Sequence, residues 1–189
     1  MVEKEKQMYL LLTNTGSFLT KLIKLYTKKP YNHASIAFDS QLSEVYSFGR
    51  KTVRNPFIGG FVKENLKAGL FKQADCVIYS IAVTEEQIQK MNQVLKECEL
   101  KKKDYRYNFL GLFGVMFNKP IKRKNAFFCS QFVAFLLEES NIIYFNKPLS
   151  LITPHDLQST STFQFVFEGK LKDYLYEKKA EFPLHFVSV

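Results

Sequence analysis

The stretch from Asn125 to Glu139, NAFFCSQFVAFLLEE, most constrains what this chain can fold into. From Cys129 onward, Phe132, Val133, Leu136 and Leu137 recur at three- and four-residue spacing, and two glutamates follow. That pattern predicts a helix with one apolar face. Such a helix has to lay its face on another layer of structure, and its first turn carries a cysteine. Backbone N–H groups without intrahelical partners, together with the positive end of the helix dipole, favour a thiolate at that place. Lys119, Lys122, Arg123 and Lys124 stand within the ten preceding positions and are expected to push the thiol pKa the same way. A free cysteine is also a common core filler, so position alone leaves Cys129 open between packing residue and nucleophile.

The rest of the chain supplies the layer. Met8 to Leu12 reads as a buried strand, and Thr13-Asn14-Thr15-Gly16-Ser17 as a turn and helix cap. Apolar spacing then predicts a helix over 17–27, which Pro30 forbids from continuing. His33 opens a strand that runs to Asp39, Ser40-Gln41 makes a turn, and Glu44 to Phe48 is the returning strand. Pairing about that turn places Ser47 opposite His33. With Pro56 and the pair Gly59-Gly60, residues 49–64 read as a long loop. A further strand follows at 76–83. Thr84 and Gln87 form a capping box, and Ile88, Met91, Leu95 and Cys98 mark the buried side of a helix that ends near Leu100. The apolar run from Phe109 to Phe117 reads as a buried segment, Thr153-Pro154 as a helix start, and 162–174 as a terminal hairpin.

No internal repeat or linker divides the 189 residues, so one domain over 1–189 is expected. Cys76, Cys98 and Cys129 form no CxxC pair, which argues against a zinc site or a disulfide framework. The mixed-charge start lacks an apolar segment of signal-peptide length and no run is long enough to span a bilayer, so a cytoplasmic location is expected. A formal charge of +9 favours anionic partners, whether nucleic acid, lipid headgroups or cell-wall polymers, and suits an anionic substrate. The aromatic residues do not interleave with basic ones as an RNA-binding sheet requires, so no specific nucleic acid is expected. No phosphate loop, HExxH or EF-hand pattern occurs, and neither a metal nor another cofactor is expected. His155 reads as a helix-start residue, and His185 lies close to the end of the sequence. Nothing in the sequence sets an oligomeric state.

A histidine heading a hairpin and a cysteine heading a later helix make a candidate base and nucleophile. The order of the segments YNHASIAFD, EVYSFG, YRYNFLGL, FFCSQFVAFLLEE and TPHDL resembles the permuted NlpC/P60 superfamily of papain-like cysteine hydrolases, in particular its YiiX/YebB-like branch. The resemblance covers roughly residues 8–160 and implies an α+β, circularly permuted papain-like fold, with a central antiparallel sheet packed against the cysteine-bearing helix. It further implies that Cys129 and His33 are catalytic and that a polar residue on the next strand orients His33. By position that residue is Ser47, with Glu44 and Glu64 as alternatives. The implied activity is a cysteine amidase or peptidase that cleaves an amide in a peptide or cell-wall-derived fragment through an acyl-enzyme. Two other readings stay open: a lipid acyltransferase or thioesterase of the same fold, in peripheral contact with anionic membrane, and a non-catalytic binding protein with a decayed triad. The Cys129 N–H and the hydroxyl of Tyr105 or Tyr31 are the candidate oxyanion donors.

Overall fold

The computed structural model describes residues 5–16, 28–51 and 58–181. The protein is α+β. Six strands form one antiparallel sheet in the order β4-β3-β2-β1-β5-β8: β1 (Lys6–Asn14), β2 (His33–Ala37), β3 (Val45–Arg50), β4 (Gly59–Lys63), β5 (Asp75–Val83) and β8 (Gln164–Lys170). Two short strands, β6 (Arg106–Tyr107) and β7 (Ala126–Phe127), pair in parallel beside it. The helices are α1 (Glu85–Leu100), α2 (Phe109–Met116), α3 (Cys129–Glu139), α4 (Pro154–Gln158) and α5 (Leu171–Glu181).

Strand alternation sorts the sheet's side chains into two packed faces. On one face Met8, Leu10, Leu12, Ala34, Ile36, Phe48, Phe61 and Val77 meet Ile88, Met91 and Leu95 of α1 and Phe132, Val133, Leu136 and Leu137 of α3. On the other face Leu11, Ala37, Val45, Cys76 and Ile78 are covered by Leu42, Leu66, Phe71 and, from α5, Leu171 and Tyr174. The sheet is thus buried on both sides, as the near-continuous apolar runs of β1 and β5 require. Phe48 stands at the centre of an aromatic cluster, with ring centroids 4.8 Å from Phe132, 5.1 Å from Phe127 and 5.5 Å from Tyr105.

Capping follows the sequence. Thr84 and Gln87 close a reciprocal box at the start of α1, and Thr153 with Asp156 does the same for α4, with Pro154 in the first turn. Three segments differ from expectation. Residues 59–63 are strand rather than loop, because Gly59 and Gly60 let β4 lie against other backbone and side chains where a Cβ would collide: with Tyr107 Cβ at 2.8 Å for Gly59 and with the Tyr105 carbonyl oxygen at 2.9 Å for Gly60. The terminal hairpin is a strand followed by a helix, since Leu171, Tyr174 and Leu175 at helical spacing bury against the second face. Finally, Phe109–Met116 is a helix whose bulky side is exposed. The helix expected over 17–27 and His185 lie outside the described residues. Among the described residues no helix is long and apolar enough to cross a membrane.

Truncating Phe48 to Ala is expected to cost about 3–5 kcal/mol of stability, the range for a buried phenylalanine whose cavity cannot collapse. Phe165→Ala, at an exposed site on β8, is expected to stay within about 0.5 kcal/mol. Urea unfolding of the two variants checks both figures.

Candidate active site

Cys129 is the first residue of α3, and Phe128 before it offers no side-chain cap. Residues 126–127 pair with 106–107, so α2 and α3 begin side by side at the end of one parallel ladder. His33 is the first residue of β2 and lies on the sheet face opposite α3, with its ring centroid 6.0 Å from that of Phe71. The cysteine helix and the histidine therefore sit on opposite faces of the sheet. They meet because the sheet opens between them. The β2–β3 ladder covers only Ile36↔Tyr46 and Ala37↔Val45. Ahead of Ile36 the edge of β2 is left to other partners, and the Cys129 sulfur occupies that edge. It takes a hydrogen bond from the Ala34 N–H and another from the Ser130 N–H of its own first turn, and it lies 3.9 Å from the Asn32 carbonyl oxygen.

The sulfur and the His33 imidazole are within hydrogen-bonding reach of one another. Burial alone would raise the thiol pKa; the imidazolium and the two backbone N–H groups outweigh it and hold Cys129 below its ordinary 9.0. Burial alone would lower the imidazole; the sulfur first, and then the Glu64 carboxylate, hold it up at about 10. Each group thus favours the charged form of the other, the thiolate beside the imidazolium. Lys119, Lys122, Arg123 and Lys124 are exposed and are not among the causes of the thiol's shift, contrary to the expectation from their nearness in sequence. Proximity along a chain is not proximity in space, and exposed charges are screened.

Glu64 meets the other side of the imidazole. His33 Nε2 donates to Glu64 Oε1 at 3.0 Å, and the two side chains are 14% and 11% exposed. This leaves Nδ1 as the ring nitrogen for the sulfur. Ser47 does not stand opposite His33: continuing the observed β2–β3 register sets it across from Ser35, two residues from the expected partner. Its hydroxyl donates instead to Glu64 Oε1, so Ser47 holds the carboxylate that holds the imidazole. Gly49 leaves room for this, since a Cβ there would come within 3.1 Å of Glu64 Oε1 and 3.2 Å of Ser47 Oγ. Glu44 faces solvent, where it accepts from Lys63 and Tyr46, and takes no part.

Neither tyrosine proposed as an oxyanion donor reaches the sulfur. The Tyr31 hydroxyl donates to Glu168 on β8 at 2.5 Å, and Tyr105 packs on Phe48 and Phe127 with its hydroxyl at Cys98. Tyr107 is the one that does. Buried on β6, it lies close enough to the Cys129 sulfur and backbone N–H for both to act on its hydroxyl. Burial, followed by the nearby sulfur's charge, pushes its pKa well above 10, so it stays a protonated donor. It sits two residues beyond Tyr105 in the same YRYN run, and only the β6–β7 pairing distinguishes the two. Among the described residues no group of three or more His, Cys, Asp and Glu side chains is gathered to hold a metal ion. No family model, curated protein or solved structure matches the chain.

Alkylation by iodoacetamide tests the ion pair. Cys76 and Cys98 are buried thiols raised by desolvation to about 12 and about 11, so Cys129 is expected to react first. Its rate should rise through a midpoint below pH 9. Glu64→Gln removes one of the two groups that keep His33 protonated. The imidazolium then loses its proton below pH 10, and the thiol midpoint moves up toward 9. A pH–rate profile for each protein, read by mass of the labelled peptide, measures both shifts.

Proposed function

We propose that the protein is a cysteine acyl-transfer enzyme, a hydrolase that cleaves an amide bond in a peptide or cell-wall-derived fragment. The observation that carries this reading is the chain of contacts from the Cys129 sulfur through His33 to Glu64, a nucleophile, a base and an orienting carboxylate in sequence. The fold is proposed to be a circularly permuted papain-like one. This is supported by the antiparallel sheet, the cysteine at a helix start and the histidine that precedes it in sequence at the head of a strand.

In this mechanism the thiolate attacks the amide carbon. The C–O π electrons move to oxygen, and the resulting oxyanion takes hydrogen bonds from the Tyr107 O–H and the Cys129 N–H, groups already converged on one another. Collapse breaks the C–N bond as His33 gives its proton to the leaving amine. The thioester is then hydrolysed by water that loses a proton to His33, and the sulfur leaves as thiolate, restoring the pair. Glu64 does not take the proton. It fixes the ring's tautomer and stabilises its charge, and Ser47 fixes Glu64 in turn.

A second reading, transfer of an acyl chain from a lipid ester by the same nucleophile, is favoured by one observation: an exposed apolar helix begins two residues after Tyr107.

Incubation of purified protein with a peptide-amide panel and with an acyl-lipid panel, followed by intact mass, is expected to show a thioester adduct on Cys129 with the amides. Adduct only with lipids selects the second reading, and no adduct with either overturns both. Once a substrate is found, Cys129→Ala is expected to abolish turnover, and Tyr107→Phe to lower kcat by about a hundredfold with little change in KM.

A further inference from the structure

Helix α2 is built inside out. Its inward positions are Gly111 and Gly114, while Leu110, Phe113 and Phe117 (the residue that ends it) are 52%, 54% and 68% exposed and fall on one side at helical spacing. The glycines are demanded by packing: a Cβ on Gly114 would meet the Lys119 carbonyl oxygen at 2.6 Å, and one on Gly111 the Asn108 side chain at 2.5 Å and Phe128 at 3.1 Å. The small positions thus pack against Phe128, the helix's own Asn108 cap and the returning 119–121 segment, while the large apolar side chains are held outward.

The segment that follows returns along the helix. Lys119 N–H donates to the Gly114 carbonyl at 2.8 Å, and Asn108 Nδ2, at the helix start, donates to the Ile121 carbonyl at 3.3 Å. The exposed residues Lys119, Lys122, Arg123 and Lys124 are therefore carried beside the apolar stripe, and none of the four is in an ion pair among the described residues. Residues 105–137 include no Asp or Glu at all.

We propose that α2 and the 119–124 segment form a docking surface for an anionic lipid bilayer, with Leu110, Phe113 and Phe117 entering the headgroup boundary and the four cations contacting lipid phosphates and carboxylates. Charge decides the occupant. A second copy placed on this face about a two-fold axis would bring two rims of unpaired cations together. A bilayer with anionic headgroups matches both the apolar stripe and its basic border. The surface is separate from the Cys129 chemistry and stands whether or not that sulfur is a nucleophile.

Flotation of the full chain with vesicles tests it. Binding is expected to vesicles of phosphatidylcholine with about one third phosphatidylserine and not to phosphatidylcholine alone, and to weaken as salt rises. The double variant Phe113→Ser/Phe117→Ser should lose about tenfold or more in partitioning, and Lys122→Glu/Arg123→Glu a comparable amount or more. Cys129→Ser should float like the parent. All the changed side chains on the docking face are exposed, so thermal midpoints should match the parent and certify folding. Failure to float with anionic vesicles, or flotation unaffected by both double variants, overturns the proposal. So does a dimer in light scattering that Phe113→Ser/Phe117→Ser dissolves, which would make the stripe a self-association face.

Discussion

The site depends on a gap in a sheet. Where β2 and β3 part company, before Ile36 on one and after Tyr46 on the other, the N–H of Ala34 is left to the Cys129 sulfur, which also lies 3.9 Å from the Asn32 carbonyl oxygen just ahead of β2. An unclaimed N–H in a protein interior is costly, so the sulfur, as acceptor, is part of how that donor is satisfied. The same opening lets a sulfur carried on one face of the sheet reach an imidazole carried on the other. Because both groups are largely out of water, each charge is held chiefly by the other and by fixed dipoles rather than by solvent.

The carboxylate side of the arrangement is equally a matter of backbone. Glu64 follows directly on β4, its N–H bonded to the Val45 carbonyl at 2.8 Å, so the β3–β4 pairing delivers it above Ser47 and Gly49. A missing side chain at Gly49 gives the carboxylate its seat, and one at Gly59 gives Tyr107 its seat. Both glycines have no positive-φ requirement and are there for closeness. Tyr107 arrives from the other direction, on a two-residue parallel pairing that aligns the starts of α2 and α3. Sulfur, imidazole, carboxylate and phenol thus come from four different segments, and each is fixed by strand pairing close beside it.

Helix α2 shows the opposite economy. Packing through glycines is rigid but buries little apolar area, so its large side chains remain outside, next to a basic segment that wraps back along it. A run as apolar as FLGLFGVMF reads as core when only hydrophobicity is counted. The spacing of Gly111 and Gly114 was the available signal that this helix faces inward with its small side.

What the sequence by itself determined was local. Period and capping were enough for the Cys129 helix, for α1 with its Thr84–Gln87 box, for α4 with Thr153 and Pro154, and for the strands expected at 8–12, 33–39 (which ends earlier, at Ala37), 44–48 and 76–83, because side-chain spacing and orphan N–H groups act within one or two turns of chain. The pairing of His33 with Cys129 came from segment order, and the structure places the two in contact. Tertiary structure alone decided that Glu64 rather than Ser47 meets the imidazole, that Tyr107 rather than Tyr105 or Tyr31 meets the sulfur, and that 59–63 is a strand. Each of these turns on a register or a close approach between segments distant in sequence. A register shift of two residues keeps every side chain on its face and leaves the hydrophobic pattern unchanged, so that pattern could not tell the partner of His33.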